Sequence, residues 1–124
     1  MRNMKTNKVA KIVSWVLLIL PSLMLLMSAI MKLTGAEELV KAFEAIGIGH
    51  LLPVIGVIEL ISVVLLLIPK TYKLGFLLIT GYLGGAFSIE LAGQQFPMAA
   101  VLLAVIWIGV FLRDKRMFVN APEA

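Results

Sequence analysis

The sequence predicts an all-α integral membrane protein: an up-down four-helix bundle with a short amphipathic interfacial helix between helices one and two. Hydrophobic residues make up 61% of the 124 residues and charged residues only 15%, whereas a water-soluble domain is about half apolar and about a quarter charged. The mean hydropathy is +1.06, so much of the surface has to face something other than water. The apolar residues gather into four runs, each near the length of about 20 residues with which a helix crosses a hydrocarbon layer about 30 Å thick. The runs fill most of the chain, so residues 1–124 read as one transmembrane domain.

Helix one is expected over residues 12–31, IVSWVLLILPSLMLLMSAIM, uncharged throughout and closed by Lys32. Pro21 lies in its middle; proline has no N–H to donate, so it should kink the helix and free a carbonyl for some neighbour to satisfy. A cleaved signal peptide is the competing reading of this start. Signal peptides have apolar regions of about 7 to 15 residues, shorter than this run, and Lys32 offers no small-residue cleavage site.

The segment TGAEELVKAFEAIGIGH that follows is too polar to span a membrane. Thr34 with Glu37 three residues later reads as a capping box that starts a helix over residues 36–46. Leu39, Val40, Phe43 and Ile46 fall on one face, Glu37 and Lys41 form an i,i+4 pair on the other, and Gly47 or Gly49 can end it. It should lie on the outer surface with Phe43 turned inward, or alternatively form a lid over a pocket.

Helix two is expected over residues 51–68, with Pro53 in its first turn, Pro69 at its end and Glu59 midway. The turn PKTYK leads into helix three, residues 74–91, where Gly81 and Gly85 have the i,i+4 spacing that lets two helix backbones approach closely. The turn AGQQFP leads into helix four, residues 96–112, uncharged and with Pro97 in its first turn. Such short connections make successive helices antiparallel neighbours.

The cations set the orientation. Arg2, Lys5, Lys8 and Lys11 precede helix one, Lys70 and Lys73 lie in the turn after helix two, and Arg113, Lys115 and Arg116 follow helix four. Of the 11 Lys and Arg residues, only Lys32 and Lys41 fall on the opposite side. The positive-inside bias then puts both termini and the turn after helix two in the cytoplasm. The net charge of +4 reflects this topology and argues for a lipid-bilayer partner, not for nucleic acid.

The polar residues inside the apolar runs converge on the outer half. Glu59 lies about 12 Å below the outer end of helix two. Helix three brings Glu90 to a similar level, with Tyr82 two turns deeper; Lys32 closes helix one there, His50 opens helix two, and Gln94 with Gln95 forms the external turn. A carboxylate at mid-membrane costs about 2.5 to 3.5 kcal/mol on insertion scales. Glu59 should therefore point inward and reach Lys32 or Tyr82, either in a proton-handling or ligand-binding pocket or as a lock between helices. Glu59, Lys32, Tyr82, Glu90, His50 and Gln94 are the candidate ligand-binding residues. The chain has no cysteine, which excludes disulfides, Cys-based metal sites and thiol exchange. No nucleophile–base pair or metal-ligand set marks a stand-alone enzyme.

These elements resemble the DoxX-like family of small bacterial membrane proteins. The resemblance covers nearly the whole chain and rests on MKLTG after helix one, the G-x-x-E element of Gly56 and Glu59, the leucine run and basic turn, Leu74–Gly75, and the G-G-A element of Gly84 to Ala86. Lys32 stands where the family tends to have a lysine. Members often place a histidine a few residues after G-G-A, and this chain has Glu90 there. The resemblance implies links to membrane oxidoreductase complexes, including thiosulfate:quinone oxidoreductase, or to the assembly of other membrane proteins.

The expectation that follows is a binding or accessory subunit whose outward polar pocket holds a quinone-like or lipid-like molecule, or docks a partner membrane protein. A proton-coupled transporter with Glu59 as carrier is the alternative. Alternating access usually needs two repeats, so that role would require a homodimer.

Overall fold

The computed structural model describes residues 4–118. Among them are five α-helices and no strand: α1 (Met4–Leu33), α2 (Glu37–Ala45), α3 (Leu52–Leu67), α4 (Tyr72–Ala92) and α5 (Met98–Arg113). Short 3-10 turns precede α3 at Gly49–Leu51 and follow α5 at Lys115–Met117. The four apolar runs supply most of α1, α3, α4 and α5: α1 and α4 extend past their runs, whereas α3 falls a residue short of its run at both ends and α5 starts two residues late.

Among the described residues, three helical stretches are long and apolar enough to cross a membrane: Lys8–Leu33, Gly49–Leu67 and Tyr72–Ala92. The fourth run gives a shorter helix than its composition suggests. Pro97 takes a non-helical conformation as the N-cap of α5 and Phe96 stays in the turn, leaving 16 residues in α5. At 1.5 Å per residue that is about 24 Å of helix.

α1 packs on α3 and α5, and α4 packs on the same two helices, so the four close a ring. Individual pairs give the directions. Lys32 near the end of α1 meets Glu59 in the first half of α3, the Gly75 backbone at the start of α4 abuts Leu65 and Leu66 at the end of α3, and Ser14 early in α1 donates to the Gly109 carbonyl late in α5. α1 runs unbroken through Pro21, and the Ser22 hydroxyl donates to the Leu18 carbonyl at 2.6 Å, beside the position where the proline removes a bond.

The interior is filled by Leu18, Leu25, Val63, Leu66, Ile79, Leu83, Ile106 and Val110. Polarity is inverted around them. Ser14, Ser22, Lys32, Glu59 and Ser62 are buried, while Leu20, Met27, Leu77 and Ile108 are more than half exposed. In water that arrangement would waste apolar area; in lipid it hides the polar groups and spends the apolar ones on the solvent.

Two local expectations are corrected. The capping box at Thr34 does not form: the N-cap of α2 is Ala36, without a side-chain bond. Thr34 is occupied instead at the end of α1, its hydroxyl donating to the Met31 carbonyl. Gly35, with φ +71, sends its N–H to Lys32, and Ala36 bonds Met31, closing α1 in a Schellman motif. Gly47, with φ +83, closes α2 in the same way through Gly47 to Glu44 and Ile48 to Phe43. α2 keeps its amphipathic character, with Leu39, Val40 and Phe43 half-buried and Glu37 paired with Lys41 at 3.4 Å in the open.

The second correction concerns the glycines of α4. No atom outside the local helix stands within 4 Å of where a Cβ would sit on Gly81, Gly84 or Gly85. Within this chain they are not a helix–helix seam. That role falls to Gly75, where an added Cβ would run into the backbone of Leu65 and Leu66.

Candidate functional site

α3 presents Gly56, Glu59 and Ser62 along one buried stripe. Gly56 brings α1 close: a Cβ there would stand 3.0 Å from Lys32 Cβ and 3.3 Å from the Ala29 carbonyl. The close approach lets the Lys32 side chain reach Glu59 one turn along. Lys32 Nζ lies 2.9 Å from Glu59 Oε1, with side chains 8% and 1% exposed, so this is a desolvated ion pair. Ser28, one turn before Lys32 on α1, completes it. Its hydroxyl accepts from Lys32 Nζ at 2.6 Å and donates to Glu59 Oε1 at 3.3 Å. Each charge is thus met by an opposite charge and a hydroxyl, which a buried ion pair needs to offset desolvation.

The pair forms one wall of a cavity of about 250 Å³. Tyr82 and Glu90 of α4 also line it, and Met24, Leu25, Leu83, Ala86, Met98 and Leu102 make up the apolar remainder with Ala99. The Tyr82 ring centroid is 5.9 Å from Lys32 Nζ. Glu90 has a structural task as well: its Oε1 accepts the Ala99 N–H at 2.9 Å. That bond satisfies a free donor in the first turn of α5 and puts negative charge at the positive end of its dipole.

Of the six residues proposed from the sequence, Glu59, Lys32, Tyr82 and Glu90 therefore share one cavity. His50 and Gln94 do not line it. His50 is exposed in the 3-10 turn before α3. Gln94 has φ 55 and ends α4: Gln94 N–H bonds Leu91 and Gln95 N–H bonds Glu90, so its backbone is the functional part and its side chain is exposed. The residue missed from sequence is Ser28, whose i,i+4 relation to Lys32 was a usable signal, because a hydroxyl one turn from a membrane lysine shares its face.

Two carboxylates line one cavity, but each already has a partner, Lys32 or the Ala99 N–H. What the site offers a ligand is a strongly dipolar ion pair with a tyrosine beside it and the Glu90 carboxylate farther along, set in apolar walls. It can hydrogen-bond a polar group at one end of a molecule and cover apolar atoms next to it. No curated protein and no solved structure matches this chain. The model of the DoxX-like family matches residues 16–112, covering Lys32, Glu59, Tyr82 and Glu90: the chain is a membrane protein belonging to the DoxX-like family.

Proposed function

We propose that the protein is a binding or accessory subunit of a bacterial inner membrane, an up-down four-helix bundle with both termini cytoplasmic, whose cavity takes the polar head of a lipid-like or quinone-like molecule. The observation that carries this reading is the buried Lys32–Glu59–Ser28 cluster on the wall of an otherwise apolar cavity. At about 250 Å³ the space is below the range of about 300 to 1,000 Å³ that encloses drug-sized ligands. It suits a head group, with the rest of the molecule lying along the exposed apolar faces of the helices. A link to a membrane oxidoreductase follows if that molecule is a quinone, and a partner membrane protein or a second copy would then receive it.

The test is mass spectrometry of the detergent-purified protein, with and without Glu59→Gln. The amide keeps the shape of the side chain and one accepting oxygen but not its charge. A lipid-like or quinone-like molecule should copurify with the wild-type protein and be lost from the folded variant. Equal retention by the two folded proteins would overturn the assignment. A pH-gradient-driven flux in liposomes that Glu59→Gln abolishes would instead favour transport.

A further inference from the structure

A second cavity, of about 540 Å³, opens at the opposite end of the helices, lined in part by Lys11, Ser14, Trp15 and Arg113. Its chemistry differs from that of the first. The Arg113 guanidinium carbon lies 4.4 Å from the centroid of the Trp15 ring and 4.7 Å from that of Tyr72, so aromatic faces hold it in place. Its Nη1 is buried and has no hydrogen-bond partner among the described residues. A guanidinium carries only donors, and a buried donor without an acceptor is costly.

Among the described residues, the carboxylate next to it is already engaged. The neighbouring Asp114 accepts the Tyr72 hydroxyl at 2.7 Å and sits 3.9 Å from Lys73 Nζ. Ser14 donates its hydroxyl to the Gly109 carbonyl at 2.9 Å. Lys11, on the lining, and Lys8 and Lys70, near it in sequence, are exposed. The cavity therefore presents a guanidinium edge held between aromatic rings, with a buried unpaired Nη1, together with an exposed ammonium.

We propose that this cavity binds a phosphate group, presented by the head group of an anionic membrane lipid. Arg113 supplies the planar fork that matches phosphate oxygens, and Lys11 supplies a second charge. The position favours a lipid over free phosphate. Directly beyond Lys11, α1 turns to exposed apolar residues, Ile12, Val13 and Val16, so the cavity lies where charged surface gives way to lipid-facing surface, the level of the head groups. Basic pockets between helices at that level bind anionic head groups. The site shares no residue with the Lys32–Glu59 cavity and does not depend on the function proposed for it.

Trp15 is a built-in reporter, since the chain has only two tryptophans and Trp107→Phe leaves it alone. The full-length protein in neutral detergent is titrated with phosphatidylglycerol, with diacylglycerol and with inorganic phosphate, following Trp15 emission and lipid adducts in native mass spectra. Phosphatidylglycerol should give a saturable change and retained adducts, and diacylglycerol, which lacks the phosphate, should give neither. Arg113→Gln should weaken binding by about tenfold, the loss expected for one charge-assisted hydrogen bond, and Lys11→Gln by less. Lys11 is exposed, so its variant leaves the packing intact and still decides the matter if Arg113→Gln does not fold. A response to inorganic phosphate without one to phosphatidylglycerol keeps the phosphate chemistry and overturns the lipid source. Diacylglycerol binding as well as phosphatidylglycerol, or both variants binding like the parent, overturns the site.

Discussion

α3 and α4 each carry a stripe of small residues at helical spacing, and the fold uses them in opposite ways. On α3, Gly56, Glu59 and Ser62 are all buried, and α1 presses close enough at Gly56 for Lys32 to reach Glu59. On α4, Gly81 and Gly85 look outward over open space. Small residues make close approach permissible; they do not compel it. What separates the two stripes is the carboxylate. Glu59 in hydrocarbon needs a partner, the partner is on α1, and the two helices are thereby drawn together with Gly56 at their contact. No residue of the α4 stripe makes such a demand.

The largest expected effect comes from breaking that demand. Lys32→Met leaves the buried Glu59 carboxylate without its counter-charge, and removal of one member of a buried pair costs about 3 to 5 kcal/mol. Adding Glu59→Leu removes the orphaned charge and should recover most of the loss. Thermal unfolding of the detergent-solubilised protein measures both. A double variant no more stable than Lys32→Met alone would show that α1 and α3 are held by something other than compensation of charge.

A smaller effect is expected where backbone meets backbone. Gly75 begins α4 against the last turn of α3, and a methyl group there would collide with the backbone at Leu65 and Leu66. Backbone cannot rotate away as a side chain can, so Gly75→Ala should cost about 1 to 3 kcal/mol, the usual range for overpacking. An unchanged unfolding temperature would mean that α3 and α4 separate there at little cost, and that the distinction between the two stripes does not rest on contact.

Much of this was legible in the sequence because lipid is an unforgiving solvent. Uninterrupted apolar runs mark the helices, and a carboxylate inside one must face a partner, which is why the sequence directs Glu59 inward, toward Lys32 or Tyr82. The failures share one cause: the signals were local and the outcome depended on a competing neighbour. Thr34 could cap α2, yet the end of α1 claimed it through the turn at Gly35. Phe96 is as apolar as the run that follows it, but the turn ending α4 and the Glu90 bond to Ala99 fix where α5 begins. His50 and Gln94 lie at the correct end of the chain's helices, but turn geometry leaves them exposed. Arg113 looked like one more basic flank. Its aromatic contacts with Trp15 and Tyr72 join residues far apart in sequence.

The smallest expected effect is also the sharpest test of the comparison. At Gly81 an added methyl group meets no atom beyond its own turn of helix within 4 Å, so Gly81→Ala carries no packing penalty against the other described helices. Alanine is favoured over glycine in a helix by about 1 kcal/mol in water, and α4 is continuous through this point. The variant should therefore unfold at the same temperature as the parent or slightly above it. Size-exclusion chromatography with light scattering should show the same particle mass for both. A loss of stability together with a fall in mass would mean that a second helix, from another copy, covers Gly81 and Gly85 in the assembled protein. The α4 stripe would then be a seam after all, and the difference from α3 would be between a contact made within one chain and a contact made between two.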